Sequence, residues 1–126
     1  MKNTIVGVGG DTLIVRRWIK NVDTGDVLSK AWLTVKADLA DADPGVVQKS
    51  ITPTYSPGNG KIEETGSVAN GNGVAQIYFE LTTSDTAAIE ATGVYYDIQV
   101  KTTNGAVYTF EIGTVNFRAD ATVTTT

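Results

Sequence analysis

Residues 93–112 decide the fold of this chain, and their sequence is GVYYDIQVKTTNGAVYTFEI. Two runs of alternating apolar and polar residues, both rich in β-branched and aromatic side chains, flank Asn104-Gly105. Because Asn-Gly tolerates the positive φ angles of a type I′ turn, the stretch is typical of a β-hairpin. The alternation predicts an inward face made of Val94, Tyr96, Ile98 and Val100.

Further strands are predicted on both sides of this hairpin. Residues 74–81 alternate clearly, and a final strand is expected at 115–123, after Gly113. Earlier strands are expected at 12–20, 31–37, 46–51 and 61–68. The predicted inward residues of the two clearest of these strands are Leu13, Val15, Arg17, Ile19, Ala75, Ile77, Phe79 and Leu81.

One helix and one terminal segment complete the predicted elements. Residues 83–93 indicate one or two helical turns, with Thr83 or Ser84 as the N-cap and Gly93 as the terminator. Residues 4–10 are aliphatic and end in glycines, which suits either an edge strand or an arm that pairs with a neighbouring molecule. Seven or eight short strands with one corner helix predict an all-β antiparallel sandwich.

The length of 126 residues fits one domain with a single core. We expect residues 1–10 to form an N-terminal arm or edge strand, 11–123 a single β-sandwich domain and 124–126 a C-terminal tail. A hydrophobic fraction of 41% with 19% charged residues is ordinary for a folded globular protein.

Composition excludes several classes of function. Cysteine and histidine are absent, so disulfides, thiolate or imidazole metal sites and Ser-His-Asp or Cys-His catalysis are impossible. The formal charge is −4 and the basic residues are scattered, which argues against nucleic-acid binding. No apolar run approaches the ~20 residues that span a bilayer, and the first residues do not resemble a signal peptide. We therefore expect neither a nucleic-acid partner nor a membrane partner.

Carboxylates form two further candidate sites. Asp38, Asp41 and Asp43 are close together, as calcium ligands are, but their spacing does not match an EF-hand, which favours a solvated acidic loop. Glu63-Glu64, or Asp97 with Glu111 across the hairpin, would be the acid and base of a glycosidase. Alternation places these carboxylates among outward residues, so surface charge is favoured.

The glycine-rich segments 7–10 and 58–60 lack the lysine and helix of a phosphate loop.

The two tryptophans are the strongest candidates for an interface. Alternation places Trp18 and Trp32 among polar residues, on a face expected to be shared by two neighbouring strands. Exposed Trp beside basic side chains is typical of interface hot spots. Two interpretations stay open: a partner interface, or a small satellite core in which the loop 52–60, with Tyr55, covers both rings. The candidate interface residues are Trp18, Trp32, Arg16, Lys20 and Lys36.

The order of elements in the last third of the chain resembles that of an immunoglobulin-like domain. An alternating strand is followed by a short helical corner, the predicted hairpin and a last strand. Tyr96 lies two residues before the inward Ile98, at the position of the tyrosine corner, in which the tyrosine hydroxyl binds the backbone upstream. In this resemblance Ile98 and Val15 would occupy the two cysteine positions.

More narrowly, the chain resembles the small immunoglobulin-like structural proteins of tailed bacteriophages, including the N-terminal domain of baseplate upper proteins. The residues that carry this resemblance are DTAAI (85–89), GVYYDIQV (93–100), Asn104-Gly105 and IGTV (112–115), continuing to 121–122. The likeness covers the last third of the chain well and the rest in outline.

The resemblance implies a non-enzymatic virion component, assembled in the host cytoplasm and requiring no cofactor. It would bind other virion proteins as a capsid decoration protein or in the tail and baseplate, and a homo-oligomer is a further option. An alternative of a different class is a carbohydrate-binding β-sandwich, in which Trp18 or Trp32 would stack on sugar rings. An enzyme is the least favoured class.

Overall fold

The computed structural model describes residues 3–20, 27–38, 40–66 and 74–119. Eight β-strands in two sheets and one α-helix confirm the predicted all-β sandwich. In chain order they are β1 (Asn3–Val8), β2 (Leu13–Ile19), β3 (Leu28–Lys36), β4 (Val47–Ile51), β5 (Gly60–Thr65), β6 (Ala75–Leu81), α1 (Thr83–Thr92), β7 (Tyr95–Thr102) and β8 (Val107–Arg118).

The strand order identifies the type of sandwich. The larger sheet has the order β1-β8-β7-β3-β4 and the smaller sheet the order β2-β6-β5. All pairs are antiparallel except β1 with β8, which run parallel. Taking β2 as strand B, one sheet holds strands B, E and D and the other C, F and G, as in immunoglobulin-like domains. Among the described residues no strand A pairs with β2, so β2 is an edge.

The core lies between the two sheets and consists of the inward side chains of both. As expected, β6 turns Ala75, Ile77, Phe79 and Leu81 inward, and β2 turns Val15 and Ile19 inward. Each of these side chains larger than alanine contributes about 1.5–3 kcal/mol through its removal from water. The largest fully buried side chains are Tyr96, Phe79, Leu33, Ile51, Ile62, Ile77, Ile89, Ile98, Val35 and Thr86.

The predicted hairpin is present as β7 and β8, but its turn differs from the expected type. Gly105 N donates to Thr102 O at 3.0 Å, and Thr102 N donates to Ala106 O at 3.0 Å. Gly105 has a φ of +95°. The loop therefore has three residues and ends in a left-handed glycine, in place of a two-residue type I′ turn. The inward placement of Val94 was wrong: it precedes β7 and its side chain is exposed.

β8 is one continuous strand, so the expected break at Gly113 was also wrong. Gly113 lies opposite Asn3 of β1, and a Cβ there would come within 2.7 Å of Tyr96 Cε1, so this crossing needs a glycine. The pairing of β1 with β8 makes the N-terminal segment an edge strand of its own domain. The rest of the expected final strand, 120–123, and the tail 124–126 lie outside the described residues.

The helix α1 begins one residue earlier than expected because Thr82 is its N-cap. Asp85 N donates to Thr82 Oγ1 at 3.3 Å and Thr82 N donates to Asp85 Oδ2 at 2.7 Å, a capping box. Gly93 ends the helix as predicted, and its N–H donates to Ile89 O at 2.7 Å. Among the described residues, the structure contains no helix of the length and apolar character needed to cross a membrane.

Candidate functional site

The two tryptophans do not lie on one face, which corrects the expectation of a shared patch. Trp18 is in β2 of the smaller sheet and Trp32 is in β3 of the larger sheet. Both side chains point away from the core, so they lie on opposite outer surfaces of the sandwich. Consecutive strands in the sequence change sheets here, as strands B and C do in immunoglobulin-like domains. The candidate set therefore divides into Trp18, Arg16 and Lys20 on one surface and Trp32 and Lys36 on the other.

Trp18 is open to solvent. Its side chain is 53% exposed, so no described segment covers it, and a covered satellite core is wrong for this residue. The loop residue Tyr55 donates its hydroxyl to Glu80 at 2.9 Å instead. Nearby on the same face, the Arg16 guanidinium lies 5.2 Å from the centre of the Tyr78 ring and 3.5 Å from Glu63. This surface is aromatic and mixed in charge.

Trp32 is half-buried among polar neighbours on the larger sheet. Lys30 Nζ lies 5.2 Å from the centre of its ring, a cation–π contact. On the same strand, Lys36 Nζ forms an ion pair with Asp43 at 3.2 Å. Burial raises the pKa of the neighbouring Asp97, although Lys36 opposes that shift. The basic groups here are already engaged within the domain.

A charged cluster links the two sheets near the open edge of the sandwich. Arg17 of β2 donates from Nε to Glu111 Oε1 at 3.0 Å and from Nη2 to Glu111 Oε2 at 3.0 Å. Tyr96 of β7 donates its hydroxyl to the same carboxylate. The Glu111 side chain is only 11% exposed. Bidentate Arg–carboxylate pairs are geometrically specific, so this cluster fixes how β2 sits against β7 and β8.

The electrostatics of the cluster favour an ionised glutamate and a neutral tyrosine. Burial alone would raise the pKa of Glu111, but hydrogen bonds from Arg17 and Tyr96 bring it below its ordinary value. The hydrogen bond with Glu111 raises the pKa of Arg17. Burial, and next the bond to Glu111, raise the pKa of Tyr96 to about 12. None of these shifts moves a group toward neutral pH, so the cluster acts as a structural clamp.

The outward placement of Glu111 was therefore wrong. It lies opposite the inward Ile98, whereas Asp97 lies opposite Ile112 on the outer face, so the two carboxylates do not form a pair. The register of β7 and β8 shifts between Ile98 and Gln99, which a regular alternation does not anticipate. The sequence did contain a signal for an inward carboxylate: Arg17 lies on the predicted core face, and a buried guanidinium needs an anion.

Tyr96 is buried at the position of the tyrosine corner, and its described hydroxyl bond goes to the Glu111 side chain. Within the described ranges, this hydroxyl makes no hydrogen bond to the backbone upstream, which the resemblance predicted. Ile98 and Val15, at the two cysteine positions of the resemblance, are both buried in the core.

The acidic loop is held by bonds within the chain. Asp41 accepts from Asp38 N at 3.1 Å, Asp38 accepts from Ala40 N at 3.0 Å, and Asp43 pairs with Lys36. Across the described parts of the chain, no group of three or more acidic side chains is arranged to hold a metal ion. Glu63 is exposed and pairs with Arg16, as surface charge does. In the glycine-rich segment 58–60, Gly58 N donates to the Glu80 carboxylate at 3.0 Å, so this backbone amide is bound within the chain.

The exposed apolar side chains are concentrated on one lateral side, which the sequence did not indicate. We call this the open side: the edges of β1 and β2 and the uncovered half of β8, residues 107–112. A cavity of about 180 Å³ separates β1 from β2 there. Eight large hydrophobic side chains are exposed in the described residues, and six of them lie on these three strands: Val6, Ile14, Trp18, Val107, Tyr108 and Ile112.

The uncovered half of β8 contributes three of the six exposed apolar side chains of the open side. β1 pairs only with residues 113–118 of the twelve-residue strand. Residues 107–112 pair with β7 on one side and with no described strand on the other. Val107, Tyr108 and Ile112 are 53%, 56% and 59% exposed. An unpaired strand edge with exposed apolar side chains is able to accept a further strand.

No protein-family model matches this chain, and no curated protein sequence matches it significantly.

Proposed function

We propose that this protein is a non-enzymatic binding module that attaches to neighbouring proteins through the open side. The observation that carries this proposal is the concentration of exposed apolar side chains on β1, β2 and β8. Ile14 and Trp18 lie on the outer face of the smaller sheet and Val107 and Ile112 on that of the larger sheet, so a partner would contact both faces around the strand edges. Exposed apolar surface of this kind marks interaction sites. Exposed Trp18 and Tyr108 add the aromatic side chains that are enriched in interface hot spots.

Two physical contributions would hold a partner on this side. Burial of the exposed side chains favours a complex by about 25 cal/mol per Å² of apolar surface before the entropy and desolvation costs of association are subtracted. The backbone groups of β8 and β2 that no described strand occupies would donate and accept hydrogen bonds if a partner supplied a strand. The clamp of Arg17, Glu111 and Tyr96 keeps β2 and β8 in fixed relative positions, so the surface is formed before binding.

The more specific form of this proposal is a structural protein of a tailed-bacteriophage virion. Its support is the resemblance of residues 85–89, 93–100 and 112–115 to the small immunoglobulin-like proteins of such phages. The partners would be other virion proteins, either of the capsid shell, as a decoration protein, or of the tail and baseplate. The protein would reach this location after synthesis in the host cytoplasm.

Purified particles test this form directly. Heads and complete tailed particles from the same phage are separated, and the chain is quantified in each by mass spectrometry. A fixed ratio to the shell protein in isolated heads supports capsid decoration, whereas presence only in tailed particles supports the tail. Absence of the chain from both fractions contradicts the virion proposal.

Substitutions on the open side test the binding surface. The double variant Ile14→Ser/Trp18→Ser removes two exposed side chains of β2, and we expect it to fold normally and to bind particles at least tenfold more weakly. Tyr55→Ser/Val94→Ser is the matched control, because both side chains are exposed but lie outside the open side. Equal loss in the control variant contradicts this choice of surface.

A carbohydrate-binding module is the second candidate, favoured by the aromatic residues on the outer face of the smaller sheet. Trp18 and Tyr55 are about half exposed, and Tyr78 lies between β2 and β5 on the same face. Stacking on a sugar would quench Trp18 fluorescence in the Trp32→Phe variant and leave Trp32 fluorescence unchanged in the Trp18→Phe variant. No quenching by a broad panel of polysaccharides rejects this candidate.

A further inference from the structure

Two lysines lie directly opposite each other on the outer face of the larger sheet. In the ladder between β3 and β7, Lys30 pairs with Lys101, and the inward Ala31 and Val100 form the next pair. Residues opposite each other in an antiparallel pair have Cβ atoms about 4.5–5.5 Å apart, and like charges in this position are destabilising. Of the cross-strand pairs in the described sheets, this is the only one in which both residues are charged.

No carboxylate of the described residues neutralises this lysine pair. The contact of Lys30 with the Trp32 ring orients the ammonium group but leaves its positive charge in place, because the ring is uncharged. Local rules of sheet formation are broken in natural proteins mainly at functional sites. An uncompensated pair of like charges therefore indicates a site that an anion completes. The ion pairs of the described residues use other cations, namely Arg16, Arg17, Lys36 and Lys49.

The neighbours of the lysine pair on this face are uncharged and suit a protein ligand. Val107 lies opposite Lys101 on β8, is 53% exposed and belongs to the open side. In the next outward row of the sheet, Trp32 pairs with Gln99, and Gln99 pairs with Thr109. Apolar surface, an amide and a hydroxyl therefore adjoin the two ammonium groups.

We propose that Lys30 and Lys101 together bind an acidic side chain of the protein that contacts the open side. The inference rests on the proposed function, since it names the charge of the partner at one part of that surface. The carboxylate would accept hydrogen bonds from both ammonium groups, and the apolar atoms beside it would pack on Val107. Because the carboxylate also removes the repulsion between the lysines, this gain is made only in the complex.

A polyanion, such as a nucleic acid or a phosphate-rich polymer, fits this face less well. Such ligands need several basic groups along one track. The next lysine on the face, Lys36, is paired with Asp43, and Asp97 adds a negative charge to the same face. The formal charge of −4 also repels an extended anion. A carboxylate on an otherwise uncharged protein segment meets less of this repulsion.

The stability of the isolated chain tests the repulsion. Lys101→Glu places a carboxylate opposite Lys30, so we expect a higher denaturant midpoint than in the wild type at low ionic strength and a smaller difference in high salt. Lys61→Glu is the matched control, because Lys61 lies opposite the uncharged Tyr78, and its midpoint should rise less. A midpoint for Lys101→Glu at or below that of the wild type overturns the inference.

Binding of the full chain to purified particles tests the site. Lys101→Glu should bind at least about tenfold more weakly than the wild type, and wild-type binding should weaken as the salt concentration rises. Lys61→Glu should bind like the wild type. A variant that is more stable and yet binds less tightly cannot owe its loss to unfolding. Wild-type affinity in Lys101→Glu overturns the inference.

A titration followed by NMR tests the ligand chemistry without a partner. Poly-aspartate and, at the same ionic strength, inorganic phosphate are added to the wild-type chain. Poly-aspartate should shift the signals of Lys30, Lys101 and Gln99 and leave those of Lys61 unchanged. Shifts with phosphate alone would replace the carboxylate by a phosphate-bearing ligand and overturn the inference, as would no shift with either probe.

The inference and the proposed function fail in different ways. Loss of particle binding in Ile14→Ser/Trp18→Ser, with full binding in Lys101→Glu, overturns the inference alone. A wild type that binds no particle contradicts the proposed function, and the poly-aspartate titration then decides the inference by itself.

Discussion

The two lateral sides of the sandwich are built differently. The side formed by β4 and β5, which we call the closed side, has short edge strands that carry Lys49, Lys61 and Glu63, and Lys49 forms an ion pair with Asp85 at 2.6 Å. The loop 52–59 connects these edges, and Ile62 N donates to Thr52 O at 2.9 Å. On the open side, β1 carries no charged residue, the Glu111 of residues 107–112 faces the core, and Arg16 of β2 is the exposed charge. Charge and a covering loop protect one side from pairing, and the other is left accessible.

The largest expected effect distinguishes the sides by their burial. Ile62 of β5 is 1% exposed, so Ile62→Ala should lower the free energy of unfolding by about 2–5 kcal/mol. Ile14 of β2 is about half exposed, so Ile14→Ala should change the free energy of unfolding by less than about 0.5 kcal/mol. Chemical denaturation measures both. A comparable loss of stability in the two variants would mean that Ile14 is buried to a similar extent as Ile62, which would contradict the difference between the two sides.

The clamp at the open side predicts the next largest effect. Arg17→Met leaves Glu111 without its cation in a mostly buried position, which should cost about 3 kcal/mol. Arg16→Met, at the neighbouring exposed position, should cost less than about 1 kcal/mol. Denaturant titration of both variants measures this difference.

A double-mutant cycle shows whether the effect belongs to the pair. Arg17→Met/Glu111→Met removes both charges, so its cost should be smaller than the sum of the two single costs. Additive costs would contradict a coupled clamp between the sheets.

The pH dependence of stability should reflect the same clamp at both extremes. The pKa of Glu111 is lower in the folded chain than its ordinary value of 4.5. The stabilising contribution of Glu111 is therefore fully present above about pH 4.5 and is lost as the pH falls through its lowered pKa. The pKa of Tyr96 is raised from 10.0 to about 12, so its stabilising contribution is lost between about pH 10 and 12. Thermal melting across the pH range measures both.

Two glutamate variants separate the clamp from general charge effects. Glu111→Gln should show a shallower loss of stability in acid than the wild type, because the residue that titrates has been removed. Glu63→Gln alters an exposed glutamate and should retain the wild-type slope. Identical acid slopes in Glu111→Gln and the wild type would argue against the clamp.

The smallest expected effect concerns the two tryptophans. Trp18 is 53% exposed at the open side and Trp32 is half-buried beneath Lys30. Acrylamide should therefore quench Trp18 in Trp32→Phe more strongly than Trp32 in Trp18→Phe, with little change in stability. Equal quenching would show that the two environments do not differ as described.

The sequence predicts the sandwich well because alternation in 13–19, 75–81 and 95–102 directly reports which side chains are buried. It does not predict which sheet each strand joins, and Trp18 and Trp32 were therefore placed on one surface. Regular alternation predicted an outward Glu111, and the register shift in the hairpin makes that residue face the core instead. The open side could not be predicted either, since it depends on β1 covering only half of β8.

Hydrogen exchange tests the central claim, that the open side binds partners, most directly. Backbone amides of the chain are compared in dilute solution and in its assembled form, whether the partner is a second copy or a virion protein. We predict that protection on assembly increases for edge-facing amides of residues 107–112 and of β2, and that β4 and β5 do not change. Increased protection confined to β4 and β5 would contradict the account.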